Sequence, residues 1–441
     1  MRTTSDLGTP QSAGRISRRE VLKLGGTVAT TAFAAPAILS ACGGVGGGSA
    51  AGSSKTVRVY WNAGHNYDAY KQVISQFEKD HPGWQVKLEL YQWPDMRTKV
   101  LANFAGKDVP DLIEEPGGWV QEFGRQGKLL SLQQYINKDG KEIGFPDDWQ
   151  AYTVSRNSIN NEVYGIQLHL TCILVFYNKD MVQKAGITTL PTTWDEFLDA
   201  AKALTKDNVY GVSLNQDPSY SWPWYVQNQV QYYDPDKKVI TMDTENAIAA
   251  LQFQADLVQK YKVSPVPVIS NDYSGPQKLL SAKRAAFILT GPWDIKPIQS
   301  GSPDLNWGIT QALKQKTQAT TAAGTSLMIP KDAKNPDMAW DLLKRFVALK
   351  TEIAATKEAG MTMPRKSWGT SAEIKALNNI APFTEGLNYA QYPGATLEAT
   401  GKSGAVSDLY KKAYQDVIYR NQPVADALKE FVAAANKAIA Q

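Results

Sequence analysis

Alternating and helical hydrophobic patterns organise the first part of the folded chain. Residues 57–61 and 86–90 alternate between apolar and polar side chains, which predicts two strands. Residues 70–77 instead carry apolar side chains at helical spacing. A second helix is expected over 94–106, from a proline at its start to a glycine at its end, followed by a short strand at 111–113. This alternation of strands and helices predicts an α/β fold with a parallel sheet.

Helix-start signals continue through the rest of the chain. TWDE at 193–196 predicts a capping box, and Asp243 is expected to cap a helix that buries apolar residues within 247–258. Asn-Pro at 335–336 and Pro423 mark the starts of two later helices. The sequence from Tyr232 to Ile240 is typical of a β-hairpin, so its tyrosine pair is expected to be structural rather than metal-binding.

The N-terminus is predicted to direct export. Residues 17–23, SRREVLK, place two arginines ahead of an uncharged stretch that ends at residue 41, which is the twin-arginine pattern. The stretch is rich in Ala, Gly and Thr, so it makes a poor permanent membrane span. We expect residues 1–41 to be a removable signal peptide.

The end of this stretch, LSAC at 39–42, resembles a bacterial lipobox, in which the cysteine is lipidated and becomes the mature N-terminus. The alternative is a plain signal peptide with a chance cysteine. Acyl chains on Cys42 would hold the protein at a membrane, and the Gly/Ser-rich residues 42–54 would form a flexible tether. The expected location is the outer face of the cytoplasmic membrane or the periplasm.

Composition and charge narrow the partners. The 441 residues are 43% hydrophobic and 20% charged, as in ordinary globular proteins. The formal net charge is +4, but residues 1–41 hold five basic and two acidic side chains, so the remainder carries +1. A near-neutral protein offers no case for a nucleic-acid partner and suits an uncharged solute.

The sequence lacks the common catalytic motifs. It contains no GxxxxGK[ST] phosphate loop, no HExxH or CxxC metal motif and no GxSxG nucleophile elbow. Three His and two Cys disfavour a multi-ligand metal site. Glu114 and Glu115 make a poor glycosidase pair, because neighbouring strand residues point to opposite faces. We predict a protein that is not an enzyme and uses neither a cofactor nor a metal.

The predicted strands end in loops that combine aromatic and polar side chains. In α/β sheets, ligands bind beyond the carboxyl ends of strands, and sugars need rings for their C–H faces and fixed polar groups for their hydroxyls. The candidates at these ends are Trp61, Asn62, His65, Glu115, Trp119 and Trp293. Trp293 is alternatively a core residue, His65 a structural histidine, and Glu115 a solvated loop residue.

Four ordered segments resemble the family 1 extracellular solute-binding proteins, the maltose-binding-protein-like subunits of sugar ABC importers. They are FAGKDVPDLI at 104–113, VFYNKD with PTTWDE within 175–196, KRAAFI with GPW within 283–293, and LMIPK with NP within 327–336. Each segment alone is weakly specific. Their order and spacing, over residues 55 to about 370, are specific.

This resemblance implies two α/β lobes, each a mostly parallel sheet flanked by helices, with a ligand cleft between them. Crossing strands near residues 169–171, 322–324 and 368–371 would join the lobes. The implied lobes are 55–169 with 324–368, and 170–322 with 371–441. Ligand binding would close the hinge, and the closed form would dock on ABC permease subunits. A monomer is expected.

The resemblance also implies a set of cleft residues. The family's stacking tryptophan after the Gly-Pro turn falls on Trp293. A binding loop falls on His169 and Thr171, and Thr171 stands where the maltose binder has a carboxylate, which argues against maltose itself. Of Trp222 and Trp224, one is expected to stack on the ligand and the other to lie in the core. The remaining implied contacts are Asp217, Tyr220, Trp222, Gly324, Thr325, Tyr389, Gln391 and Tyr392.

The leading hypothesis is therefore a lipid-anchored carbohydrate-binding subunit of an ABC importer. One alternative is a secreted carbohydrate-active hydrolase with two carboxylates across the cleft. Another keeps the fold but binds a polyamine, a phosphate ester or an iron chelate. A polyamine needs several acidic groups and a phosphate needs Arg or Lys at helix N-termini. The candidate loops offer neither in number.

Overall fold

The computed structural model describes residues 55–441. The predicted signal peptide, Cys42 and the tether lie outside the described residues. Within 55–441, no helix combines the length and apolar character needed to cross a membrane.

The strands follow the chain in this order: β1 (Thr56–Asn62), β2 (Gln85–Tyr91), β3 (Leu112–Glu115), β4 (Ser158–Ile159), β5 (Glu162–Val163), β6 (Gly165–Gln167), β7 (Thr171–Cys172), β8 (Leu174–Asn178), β9 (Tyr210–Ser213), β10 (Tyr233–Asp234), β11 (Val239–Ile240), β12 (Ala285–Thr290), β13 (Trp307–Thr310), β14 (Thr320–Ala323), β15 (Ser326–Met328) and β16 (Ala390–Gln391).

The α-helices are α1 (Asp68–Asp80), α2 (Trp93–Gly106), α3 (Trp119–Arg125), α4 (Gln133–Asp139), α5 (Ala151–Arg156), α6 (Lys179–Lys184), α7 (Trp194–Leu204), α8 (Trp222–Gln227), α9 (Glu245–Gln259), α10 (Gly275–Ser281), α11 (Ile295–Gly301), α12 (Pro336–Phe346), α13 (Leu349–Ala359), α14 (Lys366–Thr370), α15 (Ala372–Lys375), α16 (Ala381–Gly386), α17 (Ala395–Glu398), α18 (Ser403–Arg420) and α19 (Val424–Ala440).

The first large sheet has the strand order β2-β1-β3-β15-β6. Strand β1 is parallel to β2 and β3, as the βαβαβ rhythm predicts, whereas β15 runs antiparallel to β3 and β6. Both faces are buried. Trp61 of β1 packs on one side with Phe77 of α1, and Tyr60 packs on the other with Met96 of α2. Helices therefore cover this sheet on both sides.

The second large sheet has the order β13-β8-β12-β9. Strand β12 is parallel to β9 and antiparallel to β8. Phe287 of β12 packs with Phe197 of α7 in one core cluster, and Ile288 points into the other cluster with Phe176 of β8. Helices α18 and α19 contact each other and α9.

A small three-stranded sheet connects the segments of the two large sheets. Strand β7 pairs antiparallel with β14, and β16 lies parallel to β14. The chain passes from β6 through β7 to β8, and from β14 back to β15. At the second passage Gly324 has φ +154°, and a Cβ there would lie 2.0 Å from the His169 carbonyl oxygen. The two passages therefore run side by side and in close contact.

Most predicted helix and strand positions agree with this architecture. The capping box of α7 forms between Thr193 and Glu196, and β10 with β11 makes the predicted hairpin. The predicted cap of α9 is wrong by one residue, because the side chain of Thr244 rather than Asp243 accepts from the Ala247 amide. Residues Glu114 and Glu115 lie within β3 rather than after it.

Candidate ligand-binding site

A cavity of about 560 Å³ is lined by residues that follow strands of both large sheets, a size typical of small-molecule sites at roughly 300–1,000 Å³. Asn62 is the last residue of β1 and His65 lies in the turn after it, while Trp119 follows β3 and Trp293 follows β12. The connecting strands add Thr171 and its neighbours. The cavity therefore lies beyond the carboxyl ends of strands in both large sheets, where ligands of α/β proteins usually bind.

Most of the candidate residues meet in this one cavity. Those that line it are Asn62, His65, Trp119, His169, Thr171, Asp217, Tyr220, Trp222, Trp293, Gly324, Thr325 and Tyr392. Four others, Trp61, Glu115, Tyr389 and Gln391, do not line it.

Trp61 lies in the core below the cavity. Its ring is 1% exposed and contacts Tyr70 at 5.2 Å and Phe346 at 4.8 Å between centroids. Its indole N–H donates to the His65 carbonyl oxygen over 2.9 Å. Because strand side chains alternate, Trp61 faces the helices and supports the loop that presents His65.

Glu115 holds a loop in place instead of facing the cavity. Its carboxylate accepts hydrogen bonds from the amides of Gly117 at 2.7 Å and Trp119 at 3.0 Å. Burial raises the pKa of Glu115, against the opposing charge of Arg156. The carboxylate thereby fixes the start of α3 and the position of the Trp119 ring.

The late segment contributes through Tyr392 alone of its three candidates. The Tyr389 hydroxyl accepts from the Ala312 amide at 3.2 Å, and the ring packs against a core cluster. Gln391 is exposed and belongs to β16, where it pairs with Thr321. These contacts give Tyr389 and Gln391 structural positions beside the connecting strands.

Aromatic rings form one wall of the cavity. Tyr220 meets Trp293 edge-on, with ring centroids 6.1 Å apart. Trp222 lines the cavity and contacts Tyr232 edge-on, with ring centroids 4.6 Å apart. Trp224, at 1% exposure, lies in the core. Trp222 is thus the cavity-facing member of the Trp222–Trp224 pair.

A buried polar network forms the base of the cavity. Glu114 is fully buried and bonds His65 Nδ1 at 2.6 Å through Oε1 and the Asn62 amide at 2.9 Å through Oε2. His169 bonds Thr325 Oγ1 at 2.8 Å through Nδ1 and the Tyr70 hydroxyl at 2.7 Å through Nε2. Burial, with the nearby His65, holds the pKa of His169 well below its usual value, so this imidazole is neutral.

The same network contains a geometric metal-ligand set. Among the described residues, one atom each from His65, Glu114 and His169 lie within 4.8 Å of one another. Both ring nitrogens of His169 and both oxygens of Glu114 already have hydrogen-bond partners. Zinc bonds of about 2.0–2.1 Å to nitrogen would require these contacts to open and the ligands to converge. The arrangement fits a hydrogen-bonded network of side chains at the bottom of the cavity.

One family profile spans strands of both large sheets. The profile described as "Bacterial extracellular solute-binding protein" matches residues 63–348 of this chain. The protein belongs to this family. As a member of an extracellular family, the protein acts outside the cytoplasm. The family and the relatives are binding proteins.

Several relatives of this solute-binding protein are named for sugars. The arabinooligosaccharide-binding protein of Bacillus subtilis is 24% identical, covering 66% of this chain and 69% of its own. The diacetylchitobiose binding protein DasA of Streptomyces coelicolor is 22% identical, covering 91% and 96%. A solved ABC transporter solute binding protein of Thermotoga lettingae, bound with alpha-D-tagatose, has a TM-score of 0.79 at 22% identity and covers 88% of this chain and 100% of that one. This likeness establishes the two-lobed fold.

Sequence reasoning missed a buried ion pair at the cavity of the solute-binding protein. Arg156 ends α5, Glu398 ends α17, and Nε and Oε2 are 3.7 Å apart. Tyr392 accepts from Arg156 Nη2 at 3.1 Å and donates to the Glu398 carboxylate. Burial raises the pKa of Glu398 to about 7, although Arg156 opposes the shift. No sequence signal marks this pair, because both residues lie at helix ends far apart in the chain.

Asp294 was also missed, although the Gly-Pro-Trp turn immediately before it was found. It lines the cavity beside Trp293 and is 9% exposed. Thr290 donates its hydroxyl to Asp294 Oδ2 over 2.6 Å. Burial raises the pKa of Asp294 to about 7, and the charge of Asp272 adds to the effect. The signal that finds Trp293 therefore extends one residue further.

Proposed function

We propose that this solute-binding protein captures a carbohydrate and delivers it to an ABC permease. The observation that carries the proposal is the combination, in one cavity, of the rings of Trp119, Trp222 and Trp293 with fixed polar groups. Rings stack on sugar C–H faces, and hydrogen-bonding groups held in place by the protein orient hydroxyls.

The polar groups are held in place before a ligand arrives. His169 is fixed from both sides by Thr325 and Tyr70. His65 is fixed by Glu114 through Nδ1, which leaves Nε2 available at the cavity. The hydroxyl of Thr171 makes only a 3.5 Å contact with the Cys172 carbonyl oxygen, so its hydrogen-bonding capacity is largely free for a ligand. Preorganised partners lower the entropy cost of binding.

Capture is proposed to proceed by hinge closure. The proposed lobes are 55–169 with 324–368, and 170–322 with 371–441. The paired strands β7 and β14 support this division, because the two chain passages lie side by side and concentrate bending in a few residues. The closed form is proposed to dock on the permease as a monomer.

Export and anchoring complete the proposal. Residues 1–41 are proposed to be a twin-arginine signal peptide, Cys42 the lipidated first residue, and 42–54 the tether. Two or more acyl chains give stable membrane attachment, whereas one gives marginal attachment. Metabolic labelling with a palmitate analogue should mark the wild-type protein and not Cys42→Ala.

The binding step is tested by titrating the purified protein with mono- and oligosaccharides, with tryptophan emission as the readout. We expect at least one saccharide to shift the emission. Trp293→Ala should weaken the affinity for that saccharide by about 10- to 100-fold, because a stacking ring is lost from a desolvated site. Calorimetry measures this change. Trp84→Ala, which removes a tryptophan outside the cavity, should leave its affinity within about twofold.

Three results would contradict the proposal. The first is the absence of any saccharide that binds, and the second is an equal loss of affinity in Trp293→Ala and Trp84→Ala. The third is release of cleaved sugar during the titration, which would favour a hydrolase. Binding without turnover is expected, since the family and its relatives are binding proteins.

A further inference from the structure

Carboxyl groups outnumber basic groups around the cavity. Six carboxyl side chains and two guanidinium groups line it. Both guanidinium groups are matched, Arg97 to Glu122 at 3.0 Å and Arg156 to Glu398 at 3.7 Å. The cavity is therefore locally acidic, although the net charge summed over residues 42–441 is only +1.

The unmatched charge is concentrated on the second-lobe side. Asp272 pairs with Lys278 at 2.5 Å. Asp217, Asp294 and Asp408 have no basic side chain within 4.0 Å among residues 55–441. Asp217 is occupied as a helix cap that accepts from the Ser219 amide at 2.9 Å, and Asp408 is exposed to solvent. Asp294 alone of these three is more than nine-tenths buried.

One carboxylate oxygen of Asp294 has no hydrogen-bond donor from the described residues. Thr290 occupies Oδ2, and within the described part of the chain no donor reaches Oδ1. The rings of Tyr220 and Trp293 lie in the same corner, 6.1 Å apart and nearly perpendicular. A buried carboxylate without a counterion is costly. Aromatic faces with a carboxylate form a favourable environment for an organic cation.

We propose that Asp294, flanked by the rings of Tyr220 and Trp293, binds the ammonium group of an amino sugar. The inference rests on the proposed capture of a carbohydrate and narrows its ligand to a basic one. The ammonium supplies the missing counterion to Asp294 and places its N–H bonds on the free oxygen. A sugar carboxylate would meet the excess of negative charge and is disfavoured at this position.

The test compares saccharides that differ only by an amine in place of a hydroxyl. The pairs are glucosamine with glucose, galactosamine with galactose, and the β-1,4-linked glucosamine disaccharide with cellobiose, titrated calorimetrically at pH 7 and low salt. Spermidine serves as an ammonium source without a sugar. The proteins are wild type, Asp294→Asn and Asp199→Asn, where Asp199 is exposed and outside the cavity. The last variant makes the same charge change.

Within at least one pair, the amino sugar should bind the wild type at least about tenfold more tightly than the matching sugar with a hydroxyl. Asp294→Asn should reduce that ratio towards one, and Asp199→Asn should preserve it. Equal affinities within every pair, or an unchanged ratio in Asp294→Asn, would overturn the inference while leaving carbohydrate capture intact. Tight binding of spermidine without binding of any saccharide would overturn the carbohydrate function and, with it, the amino-sugar assignment.

Discussion

Asp294, the proposed binding side chain for an ammonium group, has a carboxylate that burial makes unfavourable. Its pKa is raised from 3.8 to about 7 by burial and by the charge of Asp272. The raised pKa values of Tyr220 and Tyr67 are caused mainly by burial, and the charge of Asp294 adds to both. The folded protein thus holds a proton on Asp294 that the unfolded chain releases between about pH 4 and 7. The contribution of Asp294 to folding stability must therefore fall as the pH rises through this window.

Replacing this residue should stabilise the empty protein in a pH-dependent way. At pH 3 Asp294→Asn should match the wild type, because Asp294 is protonated in both folded and unfolded states. At pH 8 the variant should be more stable, by about 4 kcal/mol at most, since one pKa unit corresponds to about 1.4 kcal/mol. Urea unfolding at the two pH values measures the difference. A variant that is equally or less stable than the wild type at pH 8 would contradict this assignment.

At the residue scale, sequence reasoning works where a readable strand precedes a loop. Asn62 ends β1, and His65 and Trp293 lie in the short turns after β1 and β12, so their place at the cavity follows from the topology. Trp61 lies one residue earlier and faces the core instead. Arg156 depends on how the helices pack, which local pattern does not encode.

At the element scale, the close passage of β7 and β14 depends on one glycine. Gly324 has φ +154°, a conformation that side chains rarely adopt, and a Cβ would meet the His169 carbonyl oxygen at 2.0 Å. The next residue, Thr325, donates its amide to that same oxygen over 3.2 Å and orients the His169 ring. The passage between the sheets and the base of the cavity are therefore built from the same contacts.

Gly324→Ala should consequently reduce both stability and ligand affinity. We expect a loss of about 1–3 kcal/mol in the free energy of unfolding, because backbone strain and a clash with main chain act together. Any saccharide that binds the wild type should bind more weakly. Gly106→Ala is the control, since a Cβ there meets nothing within 4 Å. Urea unfolding and calorimetry measure both effects, and equal behaviour of the two variants would contradict the argument.

The elements and the parallel pairing of β1 with β2 and β3 were largely predictable, whereas the pairing of β15 was not. Strands β1 and β2, helix α1 and the α7 capping box follow from local periodicity and end signals. The insertion of β15 between β3 and β6 joins segments that are distant in the chain. Only the family resemblance pointed to that return, because no local pattern specifies a strand's distant partner.

At the scale of the whole molecule, two sheets of one chain contribute to a single cavity. The family membership and the two-lobed fold agree with the resemblance seen in four sequence segments. The net charge of the chain was a poor guide to this cavity, because charge summed over the chain does not report its distribution. The acidic and aromatic corner around Asp294 is formed by loops that are distant in the sequence and meet only in the folded protein.

The central claim, that a saccharide binds against the aromatic wall, is tested most directly by saturation-transfer NMR on the purified protein. Irradiating aromatic protein resonances should saturate ring C–H protons of a bound saccharide from the panel, and Trp293→Ala should abolish or strongly reduce that transfer. The saccharide should be recovered intact. Absence of transfer to every saccharide, or transfer that is unchanged in Trp293→Ala, would contradict the account.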